Sequence, residues 1–182
     1  MKTEDAVVEI LKNIGEDPTR VDLIETPKRI AKSHDELFSG YKADPKKAIK
    51  KFDANGYEEI ILVKDIEYFS MCEHHMIPFF GKAHVAYIPN KHITGLSKIP
   101  RIVDIFARRL QNQERITMQV ANTLFEELSP KGVAVQLSGK HLCMCGRGAN
   151  KASAETITTC FLGEFKTDPS LKSDFFHQIK TG

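Results

Sequence analysis

Residues 97–128, SKIPRIVDIFARRLQNQERITMQVANTLFEEL, decide the fold class. In the first half, Ile99, Ile102, Val103, Phe106 and Leu110 recur at helical spacing and share one face of a helix that begins at Ser97. In the second half, Ile116, Val120, Leu124 and Leu128 repeat the pattern over 113–128, and Ser129-Pro130 ends it. Strand-like runs flank the pair. Glu58 to Ile66, rich in β-branched residues, and Gly81 to Ile88 come before it; Gly132–Leu137 and Glu155–Phe165 come after. Strands in two blocks around a central helix pair imply an α+β domain.

Outward from that centre, Val7, Val8, Ile10, Leu11 and Ile14 predict an amphipathic helix over 4–14, closed near Gly15. Thr26-Pro27 opens a second helix that runs to Leu37-Phe38 and stops at Gly40. Residues 41–57 are lysine-rich and then turn-like, and read as a connector. Asp168-Pro169 opens a last helix to about Lys180. The expected organisation is a helical region with connector over 1–57 and a catalytic domain over 58–182, forming one structural unit.

The formal charge is +2, from 26 basic and 24 acidic residues among 182. Bulk charge therefore gives no basis for nucleic-acid or membrane-surface binding, and any anion site must be local. Acids at Glu4, Asp5 and Glu9 interrupt what a secretory signal would keep apolar, and no run approaches the roughly 18 apolar residues of a membrane span. A cytoplasmic location is expected, with Cys72, Cys143, Cys145 and Cys160 as reduced thiols or metal ligands.

The densest chemistry lies in Cys72-Glu73-His74-His75 and, far downstream, His141-Leu142-Cys143-Met144-Cys145-Gly146-Arg147. Cys72 and His75 are three apart, a spacing at which a thiolate and an imidazole reach one ion from a turn, and Cys143 is the natural third ligand. Three protein ligands leave one tetrahedral position for water, the arrangement of a catalytic zinc, with His74 and His141 beside it for proton transfer. An extended 141–147 would put His141, Cys143, Cys145 and Arg147 on one side. By spacing alone, Cys72, His75, Cys143 and Cys145 also make a closed structural site, and buried cysteines without any metal are a third reading.

Ser97, Lys98 and Arg101 stand at the start of the central helix, where free backbone N–H groups favour an anion and two cations share a face. Arg147, Arg29 and Lys32 are further candidates, although each basic residue is equally at home as a solvated surface charge. Gln113-Glu114-Arg115 opens the next helix. A carboxylate there can accept two parallel hydrogen bonds, as guanine N1–H and its 2-amino group would donate, or can simply complement the helix dipole. No Walker loop occurs.

These motifs, taken together and in this order, resemble the GTP cyclohydrolase I family over nearly the whole chain, from Glu25-Thr26-Pro27-x-Arg29 to the C-terminal helix. The resemblance implies zinc held by Cys72, His75 and Cys143, with Cys145 where the family has no ligand. It implies His141 as the group that protonates purine N7 and His74 as a second proton-transfer residue. Glu114 and Gln113 correspond to guanine-binding positions; Ser97, Lys98, Arg101 and Arg147 to the triphosphate and ribose side, with Arg29 and Lys32 added to them. The implied reaction is zinc-dependent hydrolysis of GTP with release of formate and rearrangement to 7,8-dihydroneopterin triphosphate, the first step of tetrahydrofolate and pterin biosynthesis. The implied architecture is the tunnelling fold, an antiparallel sheet with helices on one side, assembled into homodecamers whose active sites are shared between subunits.

Cys145 and Gly146 replace larger residues of the family pattern, Ala154 and Cys160 stand where serine is common, and the long N-terminal extension of animal members is not expected. The competing enzyme reading is a tunnelling-fold nitrile reductase with a nucleophilic cysteine, which requires a cysteine free of a zinc cage. A zinc deaminase lacks its H-x-E and P-C-x-x-C signature here.

Overall fold

The computed structural model describes residues 1–181. Backbone contacts divide the chain into two compact units, Met1–Ser39 and a second beginning at Gly40. In the first, α1 (Thr3–Asn13) buries Val7 and Leu11 and packs on α2 (Thr26–Leu37), whose Pro27 is buried. Asp5, in the first turn of α1, accepts the Lys2 backbone N–H at 2.9 Å and so pairs one of the groups a helix start leaves open.

The second unit begins within a 3-10 turn (Ser39–Lys42) and continues with α3 (Pro45–Ala48) and β1 (Lys51–Asp53). It continues through β2 (Ile61–Cys72), β3 (Pro78–Ile88), β4 (His92–Thr94), α4 (Lys98–Ala107), β5 (Leu110–Gln111) and α5 (Gln113–Leu128). After these come β6 (Gly132–His141), α6 (Leu142–Cys145), β7 (Thr156–Gly163), α7 (Glu164–Thr167) and α8 (Pro169–Lys180). The main sheet has the order β5-β2-β3-β6-β7; its four long strands are antiparallel and the two-residue β5 adds in parallel at one edge. This is the expected α+β class.

The alternation of the strands builds two cores. Phe79, Ala83, Val85 and Tyr87 of β3 point to the face covered by α4 and α5, where Ile99, Ile102, Ile116, Val120 and Leu124 are fully buried. Their neighbours Ala86 and Ile88 point the other way, onto Phe165 of α7 and Phe175 of α8. Burial of each such large apolar side chain contributes roughly 1.5–3 kcal/mol. The two long central helices thus lie on one face, and the C-terminal helices close one end of the other.

Three strands run further than their sequence pattern indicates, all at the same end. β2 continues past Ile66 to Cys72, β3 starts at Pro78 rather than Gly81, and β6 continues past Leu137 to His141. These extensions carry Tyr68, Ser70, Phe79, Gly139 and His141, whose polar and glycine content hides the period-two signal. The 41–57 connector contains β1, which pairs antiparallel with β4, Lys51 opposite Thr94. Residues 142–145 form a helical turn, not the extended segment expected over 141–147.

Candidate active site

Cys72 ends β2, and the chain reverses through 73–77 before entering β3. The reversal is fixed by backbone hydrogen bonds from Cys72 N–H to Ile77 O at 3.0 Å and from Met76 N–H to Cys72 O at 2.8 Å. Glu73 N–H donates to Gln111 O at 3.0 Å, tying the turn to β5. The turn brings His75 Nδ1 to 3.9 Å and His74 Nδ1 to 3.8 Å from Cys72 Sγ. Cys143, in the helical turn that follows β6, completes the group: the ligating atoms of Cys72, His75 and Cys143 all lie within 4.8 Å of one another. Among the described residues this is the only such group of histidine, cysteine and carboxylate side chains.

The donor set fits a zinc ion. Two thiols and an imidazole at these separations are the soft and borderline ligands zinc takes at about 2.0–2.3 Å. Burial, then the adjacent Cys72, pushes the Cys143 thiol up, with Arg147 opposing from nearby. Two thiols this close resist joint ionisation, and a cation between them removes that resistance.

Cys145 is not part of the group. Its Sγ lies 3.9 Å from the carbonyl oxygens of both Lys151 and Ala152. The helical turn explains this, because residues two apart on a helix do not face the same way. The closed four-ligand reading therefore loses its fourth ligand, and the extended-strand argument for placing Arg147 and His141 together fails with it. His141 reaches the cluster by a different route, as the last residue of β6.

The His141 ring stacks on Phe79 with centroids 4.5 Å apart and planes 6° from parallel. Its Nε2 lies 3.0 Å from Gln113 Oε1. Burial pushes the imidazole pKa down, opposed by the Glu114 carboxylate. Cys72, His74, His75, Cys143, His141 and Glu114 all line one cleft of about 230 Å³.

A clamp that the sequence did not reveal supports the turn. Arg115 holds Glu73 with both guanidinium ends, one of them at 3.0 Å to Oε1, and Asn112 Nδ2 donates to the same oxygen at 3.0 Å. Asn112 also caps α5 by accepting the Arg115 backbone N–H at 2.8 Å. The Arg115 guanidinium, with Asn112, holds the Glu73 carboxyl below the usual carboxylate range. Asn112 before Gln113-Glu114-Arg115 is a legible cap; the pairing of residues 73 and 115 has no local signal.

A family model described as GTP cyclohydrolase I matches residues 3–180. The chain is 54% identical over 185 aligned residues to GTP cyclohydrolase 1 of Leptospira biflexa, covering 98% of each chain. It is 52% identical to that of Chlorobaculum tepidum (96% of this chain, 79% of the relative) and 51% identical to that of Allorhizobium ampelinum (98% and 90%). The chain belongs to the GTP cyclohydrolase I family. By that membership it is an enzyme, a hydrolase. One solved structure, the archaeosine synthase QueF-Like in the apo form, matches with a TM-score of 0.48 at 15% identity, covering 57% of this chain and 93% of that one. Among the described residues no helix is long and apolar enough to cross a membrane.

This GTP cyclohydrolase I chain brings some of the expected site residues together and keeps others apart. Cys72, His74, His75, Glu114, His141 and Cys143 share the cleft. Arg147 is exposed just beyond α6, within electrostatic reach of Cys143. Ser97, Lys98 and Arg101 are elsewhere. They follow Thr94, whose N–H donates to Tyr87 Oη at 3.1 Å, whereas Phe79 of the same strand stacks on His141. From Phe79 to Tyr87 is roughly 25 Å of strand at about 3.3 Å per residue. Ser97 takes the N-cap position of α4 without spending its hydroxyl on a cap bond. Arg29 and Lys32 are exposed on α2 of the first unit.

Gln113, expected on the guanine side by resemblance, turns its side chain into the fold. It is 0% exposed, and its amide is fully engaged inside the fold.

Proposed function

We propose that this chain hydrolyses GTP, releasing formate and forming 7,8-dihydroneopterin triphosphate, the entry reaction of tetrahydrofolate and pterin biosynthesis. The observation that carries this reading is the meeting of Cys72, His75 and Cys143 with His141 and Glu114 around one cleft. Cys72, His75 and Cys143 would hold a zinc ion, which when bound supplies Lewis-acid activation of water for attack on a purine carbon.

The remaining chemistry falls to side chains. Glu114, exposed on the first turn of α5, accepts guanine N1–H and the 2-amino protons together, a pair of donors that adenine lacks. His141 delivers a proton to N7, without which C8 is a poor electrophile. His74, beside Cys72 but outside the ligand group, serves the later proton transfers of ring opening and reclosure. Arg147 takes the ribose and phosphate side; Arg29 and Lys32 stand as triphosphate candidates by family resemblance alone.

Ser97, Lys98 and Arg101 lie too far along the sheet to reach a nucleotide whose base sits on Glu114 of the same chain. A neighbouring copy supplies them in this reading, which makes the enzyme a homo-oligomer, a decamer by family resemblance, with shared sites. Catalysis belongs to residues 58–182, with 1–57 as a helical region and connector, and the reaction runs in the cytoplasm, where the ligand thiols stay reduced.

The test is to incubate zinc-loaded protein with GTP and assay formate together with the fluorescent oxidised pterin. Equal amounts of both are expected, abolished in Cys143→Ser and His141→Ala and retained in Cys145→Ser. Zinc kept by Cys143→Ser but lost from Cys145→Ser would contradict the ligand assignment. Unchanged discrimination between GTP and ATP in Glu114→Ala would remove the guanine-reading role.

A further inference from the structure

Gln113 is the most completely hydrogen-bonded side chain near the cleft. Its Nε2 donates to Leu137 O at 3.1 Å and to Thr156 O at 3.0 Å, with Thr158 Oγ1 at 3.1 Å. Carbonyl oxygens only accept, so the atom facing them is the amide nitrogen; the reverse orientation would press Oε1 against two acceptors. Oε1 is thereby committed to the opposite side, where it meets His141 Nε2 at 3.0 Å and Tyr68 Oη at 3.3 Å. The neighbouring backbone is cut away to admit this arrangement: a Cβ on Gly139 would lie 2.4 Å from both Gln113 Oε1 and Tyr68 Oη.

An oxygen that can only accept, placed 3.0 Å from Nε2, requires a proton on that nitrogen. The Phe79 stack holds the ring in the plane that makes the contact. Nδ1 has no hydrogen-bond partner in the protein among the described residues.

We propose that Gln113 is a positioning residue that fixes His141 as the Nε2–H tautomer, making Nδ1 the ring nitrogen through which His141 exchanges a proton with the substrate purine. The destination of the proton rests on the functional reading above; the tautomer does not. Nδ1 of the neutral ring first takes a proton from an acid in the solvent, giving the imidazolium; that Nδ1–H bond then breaks as the lone pair of N7 takes the proton, and the imidazole returns to neutrality with Nε2–H still on Gln113. The pinned nitrogen never has to turn, so ring orientation survives the whole exchange.

Two measurements on the full-length protein test this. In the ligand-free wild type labelled with 15N-histidine, solid-state NMR should give His141 a protonated Nε2 and an unprotonated Nδ1, the signals assigned by their loss in His141→Asn. A proton found on Nδ1 of the neutral ring would overturn the proposal. In Gln113→Met, kcat for formate release should fall on the order of 10²-fold, while KM for GTP stays within about twofold. Bound zinc per chain should be unchanged. A raised KM at preserved kcat would overturn the proposal by making Gln113 a substrate contact. Should that variant not fold, the wild-type tautomer decides alone. Wild-type protein that releases no formate from GTP would overturn the proton's destination and the functional reading, whatever the tautomer proves to be.

Discussion

The two ends of the sheet solve opposite problems with the same strands. At the Ile88–Ala134 end, side chains are apolar and meet Phe165 and Phe175, both 0% exposed, in a cluster that includes further aromatics at Phe161 and Phe176. At the Cys72–His141 end, buried Tyr68 and Phe79 lie among buried polar side chains, and Gln111, Gln113 and Thr117 are held by hydrogen bonds to named partners. Apolar contacts are non-directional and tolerate small shifts, whereas a hydrogen-bonded network fixes atoms to a few tenths of an ångström or fails. One end is ordered by apolar contact alone, and directional bonding is added at the end that carries the Cys72, His75 and Cys143 group and His141.

If that division holds, truncation at the apolar end should cost most and leave the cleft intact. Phe175→Ala is expected to lower unfolding free energy by about 3–5 kcal/mol in denaturant titration. Zinc content and kcat of the folded fraction should be unchanged. Loss of zinc at an unaltered unfolding midpoint would erase the distinction between the ends.

The next effect lies in the clamp. Arg115→Met removes both guanidinium bonds to Glu73 and frees the turn that carries His75. Competition with a chelator should show zinc affinity weakened by about 10–100-fold, with a small change in thermal midpoint. Affinity equal to wild type would mean the turn is held by its backbone bonds alone.

Acid titration gives a smaller difference. The Glu73 carboxyl is depressed in the folded state by Arg115, so its contribution to stability is present above the unfolded value, near 4.3, and is lost as pH falls through the lower folded value. The stability gap between wild type and Glu73→Gln should therefore be open at neutral pH and close below about pH 4. A gap that widens on acidification would reverse the sign of the Arg115 effect. Smallest of all is Cys145→Ser, expected to shift stability by less than about 0.5 kcal/mol and to leave zinc stoichiometry alone.

The apolar periodicity of α4 and α5, the cores of the four long strands and the terminal helix were legible in the sequence because burial there follows a regular period. The strand extensions were not, because residues 67–72, 78–80 and 138–141 mix polar, glycine and candidate-site residues that break the alternation that marks a strand. Cys72, His75 and Cys143 were legible as chemistry. The helical turn at 142–145 was not, and that turn directs Cys145 away from the group that Cys143 completes. Gln113 entered only through the family resemblance, as a guanine-side position; its burial and its contact with His141 have no local signal in the sequence. No local pattern could pair Glu73 with Arg115, since the contact spans 42 positions of chain.

The account turns on the number of sulfurs around the metal. X-ray absorption at the zinc edge of the loaded, ligand-free protein measures it directly. Two sulfur neighbours at about 2.3 Å, one imidazole nitrogen and one further light atom are predicted. Three sulfurs would bring Cys145 into the shell, close the site to water and contradict the enzymatic reading.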